Sequence, residues 1–174
     1  FSIGSKGIRS ARVYVVGLGF YELSVNGAKV GDNVLSPAWT DYEKRVLYDT
    51  FDVTKFLKEG KNAVGISLGT GRYEPAKESD LARAGYGPVK ALLQLNIKYE
   101  DGTIQSYFSD PSLWKCSDGP FVSDDLFMGE TYDARREKPG WDTPEYNEVD
   151  FRACQPVAPP KGTLVSSATL PPSE

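Results

Sequence analysis

The chain reads as an all-β protein, an antiparallel β-sandwich of the jelly-roll, galactose-binding-domain-like type. Three observations predict this: apolar and polar residues alternate at period two along several short runs, tight-turn dipeptides punctuate them, and no stretch sustains a helical period. "ARVYVVG" (11–17) and "FYELSVNG" (20–27) open the pattern with β-branched and aromatic residues. Asn26-Gly27 predicts a tight hairpin turn, with "AKVG" as the returning strand. "RVLYDTFDV" (45–53) is a further strand. "TKFLKEGKN" (54–62) predicts a helical turn capped by Thr54 and closed by Gly60, leading into the strand "AVGISLG" (63–69). "VKALLQLNIKY" (89–99), the Asp101-Gly102 turn and "TIQSYFS" (103–109) predict a hairpin, and "SLWKCS" and "YDARRE" predict shorter strands. Many short strands between turn signals pack most economically as two sheets face to face.

At 174 residues the chain fits one domain. We expect the sandwich to occupy residues 1–154. The segment 155–174, "QPVAPPKGTLVSSATLPPSE", is rich in Pro and Ser and is expected to be a linker toward a following domain. Phe1 in place of an initiator methionine reads as a cut boundary, so the missing signal peptide leaves the compartment open. The net charge of −4, without a basic run, argues against nucleic-acid and membrane-surface partners. Cys116 and Cys154 match no metal-ligand spacing and read as idle thiols.

Histidine is absent. That removes Ser-His-Asp and Cys-His nucleophile systems and histidine-ligated zinc. A hydrolase built from these residues would need a pair of carboxylates, and a metal site would take hard, oxygen-bound calcium or magnesium.

Three connections, 31–44, 69–88 and 117–141, exceed the length of a simple turn and are rich in aromatics and glycine. Loops gather at the ends of a sandwich, so these are the expected pocket builders. Asp32-Asn33 supplies a carboxylate and an amide, suited to sugar hydroxyls or Ca²⁺, or to an Asx turn that ends a strand. Trp39, Tyr42 and Tyr73 suit stacking on sugar C–H faces; the alternative for Trp39 and Trp114 is a plug at the end of the core. The glycines of "GTGRYEP" (69–75) bring backbone carbonyls within reach of a neighbour, and no phosphate-loop pattern accompanies them. In "SDDLFMGETYDARREKPGW" (123–141), Asp133 and Arg135 most simply pair with each other, which favours a structural role over a catalytic carboxylate pair.

The run "YVVGLGFYELSVNGAKVGDNVLSPAWTDYEKRVLYDTFDVTKFLKEGKNAVGISLGTGRY", with "GETYDARREKPGWDTPEY" and "PVAPPKGTLV", resembles the accessory N-terminal β-sandwich domain of bacterial α-L-rhamnosidases across residues 8–164. The resemblance implies a non-catalytic fragment of a glycoside hydrolase, whose catalytic acid and base lie in a helical barrel outside this chain. It also implies two partners, an L-rhamnose-containing glycan and downstream domains of the same parent chain. Related domains in some family members bind L-rhamnose through Ca²⁺. By that resemblance Asp32 and Asn33 bind metal and sugar, the carbonyls of Thr70 and Pro75 complete the metal shell, and Trp39 or Tyr73 stacks on the ring. Thr70 stands where those relatives carry asparagine, and Arg72 where they carry tryptophan. A docking domain without a ligand of its own is the alternative.

Overall fold

The computed structural model describes residues 1–75 and 85–167. Strand β2 (Ile8–Leu18) lies at the centre of the larger, five-stranded sheet. It pairs antiparallel with β5 (Arg45–Asp52) on one side, Val13 opposite Phe51, and with β8 (Lys90–Tyr99) on the other, Val13 opposite Leu95. The Asp101-Gly102 turn folds β8 back onto β9 (Ile104–Phe108), with Gly102 at φ +83°. A smaller sheet places β3 (Phe20–Val25) between β4 (Ala28–Lys29) and β7 (Val64–Gly69). The Asn26-Gly27 turn joins β3 to β4, both residues having positive φ. The eleven-residue strand β2 and its neighbours thus follow from the alternation and the two turn dipeptides, as expected.

Because strand side chains alternate faces, Ala11, Val13 and Val15 of β2 join Leu93, Leu95, Ile97 and Tyr99 of β8 on one side of the large sheet. Leu23 and Val25 of β3 meet them from the small sheet, closing a single sandwich core. Val16 and Leu18 point the other way and are covered by Tyr42, Tyr73 and Val46, a second buried cluster at one end of the sandwich. Among the described residues no helix is long and apolar enough to cross a membrane.

Three local expectations change. Thr54 begins a 3-10 turn of only three residues, Thr54–Phe56, and does not cap it. Its hydroxyl accepts the Ala11 N–H at 2.8 Å, and the Asp52 carboxylate accepts the Thr54 N–H at 2.9 Å. Phe56 and Leu57 both pack on the core, and Leu57 is extended, so the turn ends there. "YDARRE" is not one strand: β12 (Gly129–Tyr132) pairs with β11 (Phe121–Asp125), after which Asp133 accepts the Arg135 N–H and starts a 3-10 turn, Ala134–Arg136. The Pro- and Ser-rich tail contributes β14 (Thr163–Ser166), which lies parallel to β5 at the edge of the large sheet. Short β-branched and apolar residues in "TLVS" suffice for a strand once an unpaired edge is presented.

The remaining ladders are short. β1 (Ser2–Ile3) pairs with β6 (Gly60–Lys61), and β10 (Lys115–Cys116) pairs with β13 (Arg152–Ala153). Trp114 is half-buried against the core, as a plug. Cys116 and Cys154 are free thiols; burial pushes the Cys154 thiol up to about 11, and Cys116 beside it adds to the shift.

Candidate functional site: a pocket between three loops

The loop 31–44 leaves β4 through Gly31 at φ +77° and is tied down at Ser36. The Tyr21 N–H donates to the Ser36 carbonyl at 2.9 Å, and the Ser36 hydroxyl donates to Asp49 Oδ2 at 3.0 Å. Tyr21 donates its own hydroxyl to the same oxygen at 2.5 Å. Asp49, only 6 % exposed, therefore holds the loop to the sheet through two hydroxyls. Burial raises the Tyr21 pKa well above the ordinary tyrosine value, and Asp49 reinforces the shift. Farther on, the Lys44 and Arg45 N–H groups both donate to the Asp41 carbonyl, returning the chain to β5.

The loop after β7 turns at once. The Thr70 carbonyl accepts the N–H groups of Tyr73 and Glu74, both at 3.2 Å, with Gly71 at φ +51°. Thr70 also reaches the third loop. Its N–H donates to Asp124 Oδ2 and its hydroxyl donates to the Asp124 carbonyl, both at 2.7 Å. Gly69 permits this approach, because a Cβ there would stand 3.0 Å from Asp124 Oδ2. All three long connections thus meet at one end of the sandwich.

Three tyrosines build the floor, Tyr42 at its surface and Tyr73 and Tyr86 packed behind it. Tyr42 meets Tyr73 and Tyr86 edge-on, at 5.1 and 5.0 Å between centroids, and Tyr73 and Tyr86 stack at 5.7 Å. Burial pushes the Tyr42 hydroxyl upward, the two neighbouring phenols add to this, and the Arg72 charge opposes it. Above the floor the Arg72 guanidinium lies 4.7 Å from the Trp39 ring centroid and 5.5 Å from that of Phe127. Leu35, Pro37, Trp39, Arg72 and Leu126 border a cavity of about 300 Å³. That is near the lower end of ligand pockets and large enough for one sugar ring.

The expected site residues divide. Trp39 is 61 % exposed at the rim, so it is a surface aromatic and not a core plug. Tyr73 is 2 % exposed and its ring faces other tyrosines, which makes it part of the floor with no face open to solvent. Asp32 and Asn33 are exposed, outside the cavity lining, and their side chains take no hydrogen bond from the described residues. Neither forms the Asx turn that local sequence suggested. Asp133 and Arg135 do pair, through two contacts of 2.8 Å.

For calcium, Asp32 and Asn33 offer one carboxylate and one amide oxygen without partners among the described residues. The Thr70 carbonyl has both lone pairs engaged by N–H groups, and the half-buried Pro75 adds a carbonyl. Among the described residues no group of three or more His, Cys, Asp and Glu gathers where one ion could reach them. A calcium shell takes about six to eight oxygens, more than Asp32, Asn33, Thr70 and Pro75 would provide together. Arg72, Leu126 and Phe127 were not singled out as ligand-facing by sequence reasoning. The available signal was "LFM", three consecutive large apolar residues at 126–128 in an otherwise polar loop, all exposed here.

A second concavity, about 2110 Å³, runs between β7–β9 and the segment 109–157. Leu92, Phe108, Leu113, Val149 and Val157 border it and are 50–78 % exposed.

The sequence pattern of the alpha-L-rhamnosidase N-terminal domain matches residues 6–173. An alpha-L-rhamnosidase of Formosa agariphila is 41 % identical over 163 residues, covering 89 % of this chain and 17 % of the relative. Among solved structures, alpha-L-rhamnosidase from Dictyoglumus thermophilum superposes with a TM-score of 0.89 at 43 % identity, over 98 % of this chain and 18 % of that one. Streptomyces avermitilis alpha-L-rhamnosidase, solved in complex with L-rhamnose, gives a TM-score of 0.79 at 37 % identity, over 91 % of this chain and 16 % of that one. The chain therefore spans under a fifth of the length of each of these relatives. Fold, sequence pattern and relatives agree, and the chain belongs to the family of alpha-L-rhamnosidase N-terminal domains.

Proposed function

We propose that this domain is a non-catalytic module of a larger α-L-rhamnosidase and binds rhamnose-containing carbohydrate in the pocket between its three loops. The observation that carries the proposal is Trp39, 61 % exposed at the rim of a sugar-sized cavity. An exposed tryptophan held in place by a cation and by loop hydrogen bonds offers a rigid platform for the C–H face of a sugar. Asp32 and Asn33, on the same loop and without partners among the described residues, supply acceptors and a donor for ring hydroxyls. Tyr73 acts beneath, by holding Tyr42 and so the floor. Calcium, where it takes part, is held by Asp32 and Asn33 with the Pro75 carbonyl and water; the Thr70 carbonyl contributes least. Affinity for one monosaccharide is weak, because few polar contacts must offset the entropy of ordering.

Calorimetric titration of the chain with L-rhamnose, with Ca²⁺ and with chelator, tests both parts. Saturable heat that Trp39→Ala and the Asp32→Ala/Asn33→Ala pair abolish supports the proposal. No heat in either condition refutes it. Heat unaffected by chelator removes calcium from it.

A docking role toward the other domains of the parent chain is favoured by a separate observation, the groove bordered by Leu92, Phe108, Leu113, Val149 and Val157. Large exposed apolar surfaces mark contact sites. The two concavities share no lining residue, and Thr70 and Asp124 border the second.

A further inference from the structure

We infer that the pocket selects an acidic sugar, a glycan unit carrying a carboxylate, with the carboxylate on the Arg72 guanidinium and the ring on Trp39. The inference rests on the carbohydrate reading above and specifies the class of sugar.

Arg72 sits at the centre of the rim, half-buried between Trp39 and Phe127, and both rings approach the guanidinium. Such stacking engages the π-faces and fixes the side chain, while the in-plane N–H donors stay available. Among the described residues none of those donors meets a carbonyl, and no carboxylate forms an ion pair with Arg72. Several acids of the three loops have other partners among the described residues. Asp41 pairs with Lys44 and Glu43 with Lys161. Glu74 accepts the Val89 N–H, Asp124 accepts the Thr70 N–H, and Asp125 accepts those of Phe127 and Met128.

A half-buried, pre-positioned guanidinium with no acceptor among the described residues is matched best by a planar anion with two oxygens. A neutral sugar satisfies one or two of the donors, and a carboxylate satisfies a bidentate pair as well as the charge. Apart from the Trp39 and Tyr42 rings, the rest of the lining is aliphatic or Phe20, and none of it is a carboxylate. A hexuronate carries its carboxylate on a ring of the size this cavity accepts.

The test compares D-glucuronate with D-glucose, which differ at C6 alone, by titration into the chain with tryptophan fluorescence and calorimetry. The expected result is binding of glucuronate roughly tenfold or more tighter than glucose. Arg72→Gln is expected to erase the preference, Arg72→Lys to retain part of it, and about 0.5 M NaCl to reduce it. Equal binding of the two sugars overturns the inference, as does a glucuronate preference that Arg72→Gln leaves intact. L-Rhamnose titrated in parallel separates the two levels. A chain that binds L-rhamnose without a uronate preference overturns this inference alone, and a chain that binds none of the three sugars overturns the carbohydrate reading with it.

Discussion

Asp49→Ala removes the carboxylate that accepts from both the site loop and β3, and its cost can be worked from the geometry. Asp49 Oδ2 receives the Tyr21 hydroxyl at 2.5 Å and the Ser36 hydroxyl at 3.0 Å. Tyr21 is 6 % exposed, so its hydroxyl would be stranded without water, at about 1–3 kcal/mol. Ser36 is half-buried and partly rehydrated, which adds about 1 kcal/mol or less. The total, about 1–4 kcal/mol, corresponds to a fall in Tm of roughly 2–16 °C for a domain of this size. Asp49→Asn keeps one acceptor oxygen and is expected to cost about half as much. Urea unfolding followed by circular dichroism measures both. A change below about 0.5 kcal/mol for Asp49→Ala, the range of an ordinary surface substitution, would refute the anchoring role assigned to this carboxylate.

Alkaline stability follows from the same hydroxyl. Tyr21 has a raised pKa in the folded state, so its contribution is complete below the ordinary value of 10.0 and is lost as pH rises from there toward the folded value. The buried Tyr42 has the same sign. The urea midpoint is expected to fall above about pH 10, with a shallower fall in Tyr21→Phe; an unchanged slope contradicts the assignment. Gly19→Ala is expected to cost about 3 kcal/mol or more, since φ is +106° and the new Cβ would lie 2.1 Å from the Gly69 carbonyl oxygen. A soluble Gly19→Ala chain with a wild-type midpoint would show that the β2–β3 and β7 crossing is looser than described.

The strands were legible because their signals are local. Alternation in "ARVYVVG" and the Asn-Gly and Asp-Gly dipeptides act within a few residues of where they are read. The convergence of the three loops was legible in kind, since loops gather at sandwich ends. The partners within the site were not. Nothing near Thr70 announces that it will bond Asp124, fifty-four positions later. Trp39 and Tyr73 are both loop aromatics by sequence, yet one is exposed and the other buried; the difference comes from Val16 and Leu18, whose outward-facing surface needs a cover that Tyr73 supplies. The Thr54 hydroxyl shows the same limit. Its preferred local role is a cap, and a strand N–H from Ala11 competes successfully for it.

The parallel strand β14 has a consequence for solubility. It pairs with the first half of β5, Arg45–Tyr48, while β2 pairs with the second half, Asp49–Asp52, so that the eight-residue strand has a partner along its whole length. A chain ended before Thr163 would bare the N–H and C=O groups of that strand at Arg45–Tyr48, next to the exposed Trp39 loop. Unprotected edges recruit other edges. Such a shortened chain is expected to self-associate where the longer one stays dispersed, and light scattering of the two at equal concentration reads the difference. The few residues Thr163–Ser166 thus act as a guard against aggregation, and a Pro- and Ser-rich stretch that looks expendable by composition is the last part of this domain to trim.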